Sequence, residues 1–258
     1  MKLYAKFFSL HLRSMMQYKS SFFLMTLGQF ILAFSAFLSV WFLFDRFHQV
    51  DGFTFEQVLL CFSVTLMAFS WCEGFFRGFD IFSSTIQNAE FDRILLRPRN
   101  EIFLVLSGKI ELSKIGRLLQ AFLVFLYALP VSGVEWDVQR VLVLLFMLIG
   151  GVCVFCGLFL IYAAICFFTV EGLEFMNIFT DGGKEFGSYP MSIYGDGILR
   201  FFTFMVPIAC FQYWPLLYLL GKSDSLWCML SPLVCIVFLL PCWGFWRFGV
   251  RHYQSTGS

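Results

Sequence analysis

Charged residues are scarce in this sequence, and their scarcity excludes the ordinary soluble protein classes. Only 14% of the 258 residues are charged, whereas 59% are hydrophobic and 21% are aromatic. A soluble domain normally has about a quarter of its residues charged, so this chain has too little polar surface to remain in water. The composition predicts an integral membrane protein with several spans.

A net charge of only +1 leaves no basic face for phosphates, which excludes a nucleic-acid partner. The three histidines, His11, His48 and His252, lie far apart, and no metalloprotease, serine-hydrolase or paired-carboxylate pattern falls within the apolar runs. Cys153 and Cys156 have metal-ligand spacing but lack a second pair to complete a tetrahedral site. The sequence therefore predicts no catalytic residues and no metal site.

A nucleotide-binding motif is also missing. Gly221, Lys222 and Ser223 resemble the end of a phosphate-binding loop, but Leu216 stands where its first glycine belongs. We therefore expect the chain to bind no ATP itself, so any work driven by ATP requires another chain.

Long apolar runs predict an all-α membrane protein whose residues 1–258 form one transmembrane domain. Six runs are long enough to cross a hydrocarbon core about 30 Å thick. The predicted spans are approximately residues 21–44, 55–76, 113–134, 141–170, 198–216 and 226–247. We expect the third to continue a helix that starts near Phe103, with Lys114 and Arg117 snorkelling to the surface.

Residues 1–19 are amphipathic rather than apolar. Polar side chains recur at spacings of three and four residues, which predicts a helix lying in the headgroup plane. A frayed basic tail is the alternative. The polar positions are Lys2, Lys6, Ser9, Arg13 and Gln17.

Positive charge indicates the orientation of the predicted spans. With both termini cytoplasmic, fifteen of the eighteen Lys and Arg residues fall on the inner side. Seven of them lie in residues 77–117, directly after the second span. We call residues 77–112 the island and interpret it as a cytoplasmic coupling region.

Helical spacing over Phe82 to Leu96, stopped by Pro98, predicts one short amphipathic helix in the island. Such a helix, held between two spans, suits insertion into a groove of a partner protein. A solvated loop that only sets orientation is the alternative. The predicted docking residues are Glu90, Phe91, Asp92, Arg93, Leu95, Leu96, Arg97 and Pro98.

Few polar residues interrupt the predicted spans. Glu73 and Arg77 have the i, i+4 spacing of a helical ion pair, which favours an interfacial pair over a gating role. Gln29, Gln120 and Gln212 lie deep in spans and are typical of helix–helix hydrogen bonds. With Phe211, these three glutamines are the candidates for lining a substrate path.

Four segments in order resemble one known family: the permease subunits of type-2 ABC exporters, in the branch that exports drugs and antimicrobial peptides. These segments are residues 91–98, 185–194, 207–221 and 249–258.

The resemblance implies a permease dimer, of identical or paralogous copies, in the bacterial cytoplasmic membrane and in contact with its lipids. It also implies separate cytoplasmic ABC ATPase subunits that bind ATP and Mg. The acidic loop before the fifth span suggests a second cytoplasmic contact at Glu185, Tyr189 and Pro190.

The abundance of phenylalanine suits export of a hydrophobic or amphipathic substrate such as a drug, an antimicrobial peptide or a lipid-like molecule. Lipid contact would explain the same phenylalanines. An ion-coupled secondary transporter and a membrane-embedded lipid-modifying enzyme remain the alternative functions.

Overall fold

The computed structural model describes residues 2–169 and 174–255, and most of them are helical. The last residue of the predicted fourth span, residue 170, and the start of the acidic loop at Glu171 lie outside this part. A short antiparallel hairpin joins β1 (Gln49–Val50) and β2 (Phe53–Thr54). The helices are α1 (Lys2–Met15), α2 (Lys19–Phe47), α3 (Phe55–Phe75), α4 (Arg77–Asp80), α5 (Phe82–Gln87), α6 (Glu90–Leu95), α7 (Glu101–Gly108), α8 (Ile115–Val131), α9 (Val138–Thr169), α10 (Asn177–Phe186), α11 (Asp196–Phe204), α12 (Ile208–Leu219) and α13 (Leu226–His252).

Five helices in the described ranges are long and apolar enough to cross a membrane: α2, α3, α8, α9 and α13. The pair α11 and α12 makes a sixth if the two count as one broken span. The prediction of an all-helical, multi-pass membrane protein is therefore confirmed.

Helix α3 is the buried centre of the bundle. It contacts α2 and α8 on one side and α9 and α12 on another, while α13 covers α9 and α12. Its residues are apolar nearly all round, which is typical of a helix enclosed by other helices. Because α3 runs the full depth of the bundle, positions along its axis measure depth in the bundle. One end adjoins the hairpin (the hairpin end) and the other, at Phe75, adjoins the island (the island end).

Two helix breaks interrupt the predicted segments. The break in the fifth predicted span is the one that its prolines Pro207 and Pro215 predict, whereas the expectation of a continuous helix from Phe103 into the third span was wrong. Helices α11 and α12 meet at an angle of 111°, because Pro207 has no backbone N–H and disfavours helical geometry in the residue before it. The helix expected to run from Phe103 into the third span ends at Gly108. Lys109 is extended there, and a 3₁₀ turn, Leu112–Lys114, leads into α8.

A close helix contact sets the position of α8 against α2. A Cβ atom added at Gly116 would overlap the backbone carbonyl oxygen of Thr26. The two backbones therefore approach as closely as glycine allows, which is the usual role of small residues between membrane helices.

Replacing Gly116 with alanine should separate α2 from α8 and lower the free energy of unfolding by about 1–3 kcal/mol. The measurement is the thermal unfolding of the purified protein in detergent. Gly28→Ala is the matched control, since a Cβ atom there has nothing within 4 Å. That variant should keep or raise stability, because alanine is the better helix former. Equal melting temperatures for the two variants would contradict the close contact.

Candidate functional site

The island folds back on itself through four short helices, α4 to α7, rather than extending as one. Helices α5 and α6 are separated at Asn88 and Ala89, and Ala89 has a left-handed backbone with φ 53°. The predicted single helix from Phe82 to Leu96 was therefore wrong. Gly78 packs so tightly on α7 that an added Cβ atom would overlap the carbonyl oxygen of Val105.

Phe91 points into the bundle rather than toward a partner. Its side chain is completely buried, with its ring centroid 5.3 Å from Phe82, 5.1 Å from Phe167 and 5.0 Å from Tyr253. Trp246 completes this aromatic cluster. The expectation that Phe91 docks a partner is corrected: it anchors α6 to α9 and α13, because the face of α6 that carries it is covered by those helices.

The outer face of α6 carries exposed apolar residues beside exposed charges. Leu96 is 86% exposed and Leu95 is 46% exposed. Arg93, Arg97 and Pro98 beside them are also exposed. We call Leu95 and Leu96 the tip. An apolar tip within a basic rim is suited to enter a groove of another protein.

The other predicted docking residues differ in their surroundings. Glu90 is exposed, whereas Asp92 is partly buried and accepts a hydrogen bond of 2.5 Å from the Ser255 hydroxyl. This bond ties α6 to the segment that follows α13.

Glu73 lies in a buried ionic cluster at the island end of α3. Its Oε1 is 2.9 Å from Lys114 Nζ, and its Oε2 accepts a hydrogen bond from Arg117. Gln29 Oε1 accepts from Arg117 Nη2 at 2.9 Å. The three charged side chains are each at most 12% exposed. The expected snorkelling of Lys114 and Arg117 was therefore wrong, because both bind this buried carboxylate.

Arg77 extends the cluster into the island. Its distance to Glu73 is 3.8 Å, but it also pairs with Asp80 and lies 3.0 Å from Glu111. The predicted Glu73–Arg77 pair is thus present but secondary. Burial raises the pKa of the Asp80 carboxyl, and Arg77 beside it opposes that rise.

The ionic cluster contains three acids and three cations, so it is electrically balanced. Its members are Glu73, Asp80, Glu111, Arg77, Lys114 and Arg117. Local spacing could suggest only Arg77 as a cationic partner for Glu73, because the other two cations, Lys114 and Arg117, are distant from it in the sequence.

Helix α10 brings charge to membrane depth. It starts beside the island, where Asn177 and Asp181 line a groove of about 510 Å³ with Arg77 and Asp80. Lys184 Nζ then lies 5.1 Å from the ring centroid of Phe69. At 1.5 Å per residue, Phe69 is about 9 Å inside the island end of α3.

The exposed face of α10 is acidic. Asp181 is 62% exposed and Glu185 is 63% exposed, and Lys184 between them pairs with both, at 3.7 Å and 2.9 Å. The opposite face, with Thr180 and Gly183, is buried. Charged groups exposed at membrane depth face water or another protein rather than lipid.

Tyr189 and Pro190 lie deeper still, away from the island. The Gly187 carbonyl accepts a 2.7 Å hydrogen bond from Thr65 of α3, and the Tyr189 carbonyl accepts one of 2.6 Å from Gln212. Thr65 is about 15 Å from the island end of α3. The predicted second cytoplasmic contact at Glu185, Tyr189 and Pro190 stays a prediction, and of these three residues only Glu185 is exposed.

The candidate path residues do not share one surface. Phe211 and Gln212 are fully buried, and Gln120 is 2% exposed. Phe211 packs on Phe155 at a centroid distance of 6.0 Å, while Gln29 belongs to the ionic cluster. In this arrangement the three buried residues are enclosed by the chain's own helices, so the expectation that they line an open path is corrected. The amphipathic pattern of residues 177–186 is the sequence signal that could have identified α10, and the sequence-based prediction missed it.

Comparison with known proteins agrees with the membrane architecture. The model of a family described as "ABC-2 family transporter protein" matches residues 30–257. No curated protein and no solved structure matches the chain.

Glu73→Gln should lower the free energy of unfolding by about 3–5 kcal/mol, because it leaves Lys114 and Arg117 buried without their carboxylate. Glu101→Gln is the control, since Glu101 pairs at 3.2 Å with Arg247, which is 45% exposed. Its loss should change stability by about 0–1 kcal/mol. Thermal unfolding in detergent measures both. A Glu73→Gln variant as stable as Glu101→Gln would show that the buried cluster does not hold α8 to α3.

Proposed function

The chain belongs to the ABC-2 family of transporters, whose permeases work with ABC ATPase subunits, and we propose that it forms the path of an exporter. In this proposal, two permease copies, identical or paralogous, meet at a seam in the bacterial cytoplasmic membrane. Separate ATPases bind ATP and Mg on the cytoplasmic side and drive the seam between inward-open and outward-open states.

The tip supports the proposed contact with the ATPase. Leu96 is 86% exposed on a helix whose other face is fixed by Phe91. A leucine that is this exposed, within a basic rim, fits an apolar groove lined by acidic residues. The single observation that carries this assignment is the contrast between the fully buried Phe91 and the exposed tip at the end of the same short helix.

Two rigid connections would carry motion of the tip into the membrane. The aromatic cluster links α6 to α9 and α13, and the ionic cluster links the island to α3 and α8. A ligand shifts a conformational equilibrium only by binding the two states differently. ATP-bound ATPases must therefore hold the tips in a position that only the outward-open seam allows.

Helix α10 supports a hydrated path at the seam between the copies. Its side chains Asp181 and Glu185 are more than half exposed, and the Lys184 amine that pairs with both lies at the depth of Phe69, where contact of charged groups with lipid is unfavourable. Water within the seam would solvate them. A path that has this charged wall beside the apolar side chains of neighbouring helices suits an amphipathic substrate better than a purely hydrophobic one.

The docking assignment is tested by Leu95→Asp combined with Leu96→Asp. The double variant should lose co-purification with the ATPase and lose substrate-stimulated ATP hydrolysis, while its melting temperature stays unchanged because neither side chain is buried. The control is Gln87→Asp with Asn88→Asp, which adds the same charge at exposed positions of the island. Retained association of the tip variant would refute the docking surface, and transport without any ATPase would favour an ion-coupled carrier.

The path assignment predicts the reactivity of cysteines on α10. Asp181→Cys and Glu185→Cys should react with a membrane-impermeant thiol reagent in sealed vesicles that expose the cytoplasmic side. Val237→Cys on α13 is the comparison: it is 59% exposed and lies in an uncharged part of its helix. It should react only with a lipid-soluble reagent. The unmodified protein gives the background of the nine native cysteines. Labelling of Glu185→Cys no faster than that of Val237→Cys would remove α10 from the path.

A further inference from the structure

The corner between α1 and α2 contains a cavity of about 600 Å³. Its facing wall is the segment 108–113, which leads from the island into the third membrane helix. Neither the tip nor the exposed face of α10 contributes to it. The cavity is therefore separate from the proposed docking surface and from the charged wall of the path, and it borders the ionic cluster only through Arg77 and Glu111.

The position of α1 places this cavity at the level of the lipid headgroups. Phe8 of α1 stacks on Phe75 at the island end of α3, with ring centroids 6.4 Å apart. Tyr4 of α1 lies 6.2 Å from Phe103 of α7. Helix α1 thus lies along the end of the bundle, where a long apolar helix such as α3 leaves the hydrocarbon region.

The floor of the cavity is apolar and opens along α2 into the membrane. Met15, Phe22 and Met25 line it. Met25 is 56% exposed, and two turns further along α2 the apolar residue Leu32, on the same face of the helix, is 59% exposed. An acyl chain can follow this surface from the cavity toward the membrane centre.

The upper wall of the cavity carries hydroxyl groups and one cation without a counter-ion. Ser14, Tyr18 and Ser21 line it from the α1–α2 corner, and Lys109 lines it from the facing segment. Arg77 and Glu111 also line the cavity, but they pair with each other at 3.0 Å, and Arg77 pairs with Asp80 as well, so the carboxylate of Glu111 is neutralised within the wall. Lys109 is exposed and forms no ion pair with any residue that the structure describes.

We propose that this cavity binds the phosphate group of a membrane phospholipid, with Lys109 as its cationic partner. The hydroxyls of Ser14, Tyr18 and Ser21 are the hydrogen-bond donors, and the apolar floor takes the start of an acyl chain. A lysine serves as a point charge for phosphate, and basic pockets beside membrane helices suit anionic headgroups. Such a lipid would join the α1–α2 corner to the segment that leads from the island to α8.

The test uses the full-length protein, purified and delipidated in detergent. Its melting temperature is measured after adding phosphatidylglycerol, diacylglycerol with the same chains, or inorganic phosphate, and native mass spectrometry counts retained lipid. Phosphatidylglycerol should stabilise the protein and remain bound, while diacylglycerol and inorganic phosphate should do neither. This combination assigns the phosphate to a lipid rather than to a free ion.

Lys109→Gln should weaken phosphatidylglycerol binding about fivefold, the loss expected for one lysine near a lipid surface. Lys109→Arg should restore it. Lys19→Gln is the matched control, because Lys19 is exposed at the start of α2 but does not line the cavity. Equal weakening by both glutamine variants, or stabilisation by inorganic phosphate alone equal to that by phosphatidylglycerol, would overturn the proposal.

Discussion

The packing of three membrane helices at the island end of the bundle depends on one buried carboxylate, that of Glu73. Removing such a group from water costs several kcal/mol unless cations and hydrogen bonds surround it. Lys114 and Arg117 supply them from the start of α8, and Gln29 holds Arg117 from α2. Helices α2, α3 and α8 therefore cannot slide past one another at this level without exposing a charge to the hydrocarbon region. The island, through Arg77 and Glu111, is part of the same balanced cluster.

The second attachment of the island is apolar. Phe91 lies among Phe82, Phe167, Trp246 and Tyr253, in edge-to-face contacts that favour a fixed geometry. Because the ionic cluster joins the island to α3 and α8, and the aromatic cluster joins it to α9 and α13, a displacement of α6 reaches four membrane helices. An island fixed at both ends transmits a displacement, whereas a solvated loop would absorb it.

The sequence predicted those features that the bilayer itself imposes. Span lengths follow from its thickness, so α2, α3, α9 and α13 could be read from uncharged runs. The inward direction of Phe91 could not be predicted from the sequence. The helical spacing of apolar residues defines one face of a helix, but it does not show which part of the protein covers that face. The partners of Glu73 lie about forty residues away, while local spacing pointed only to Arg77. The segment 177–186 was assigned to a water-facing loop because its charges suggest solvent, yet the same pattern suits a helix with one face on a hydrated seam.

The position of α10 explains how the island could control that seam. Asn177 and Asp181, at the start of α10, share a groove with Arg77 and Asp80 of the island. Farther along, Gly187 is bound to Thr65 by a hydrogen bond, so the other end of α10 is fixed to the centre of α3. Since one end is held and the other adjoins the island, a movement of the island tilts α10 about its deep end. Within the proposed exporter, that tilt would widen or narrow the charged wall of the path without breaking the buried contacts of α3. Coupling of this kind requires no continuous helix from the ATPase to the substrate. It requires only that the deep end of α10 is fixed and that the groove between its other end and the island changes width.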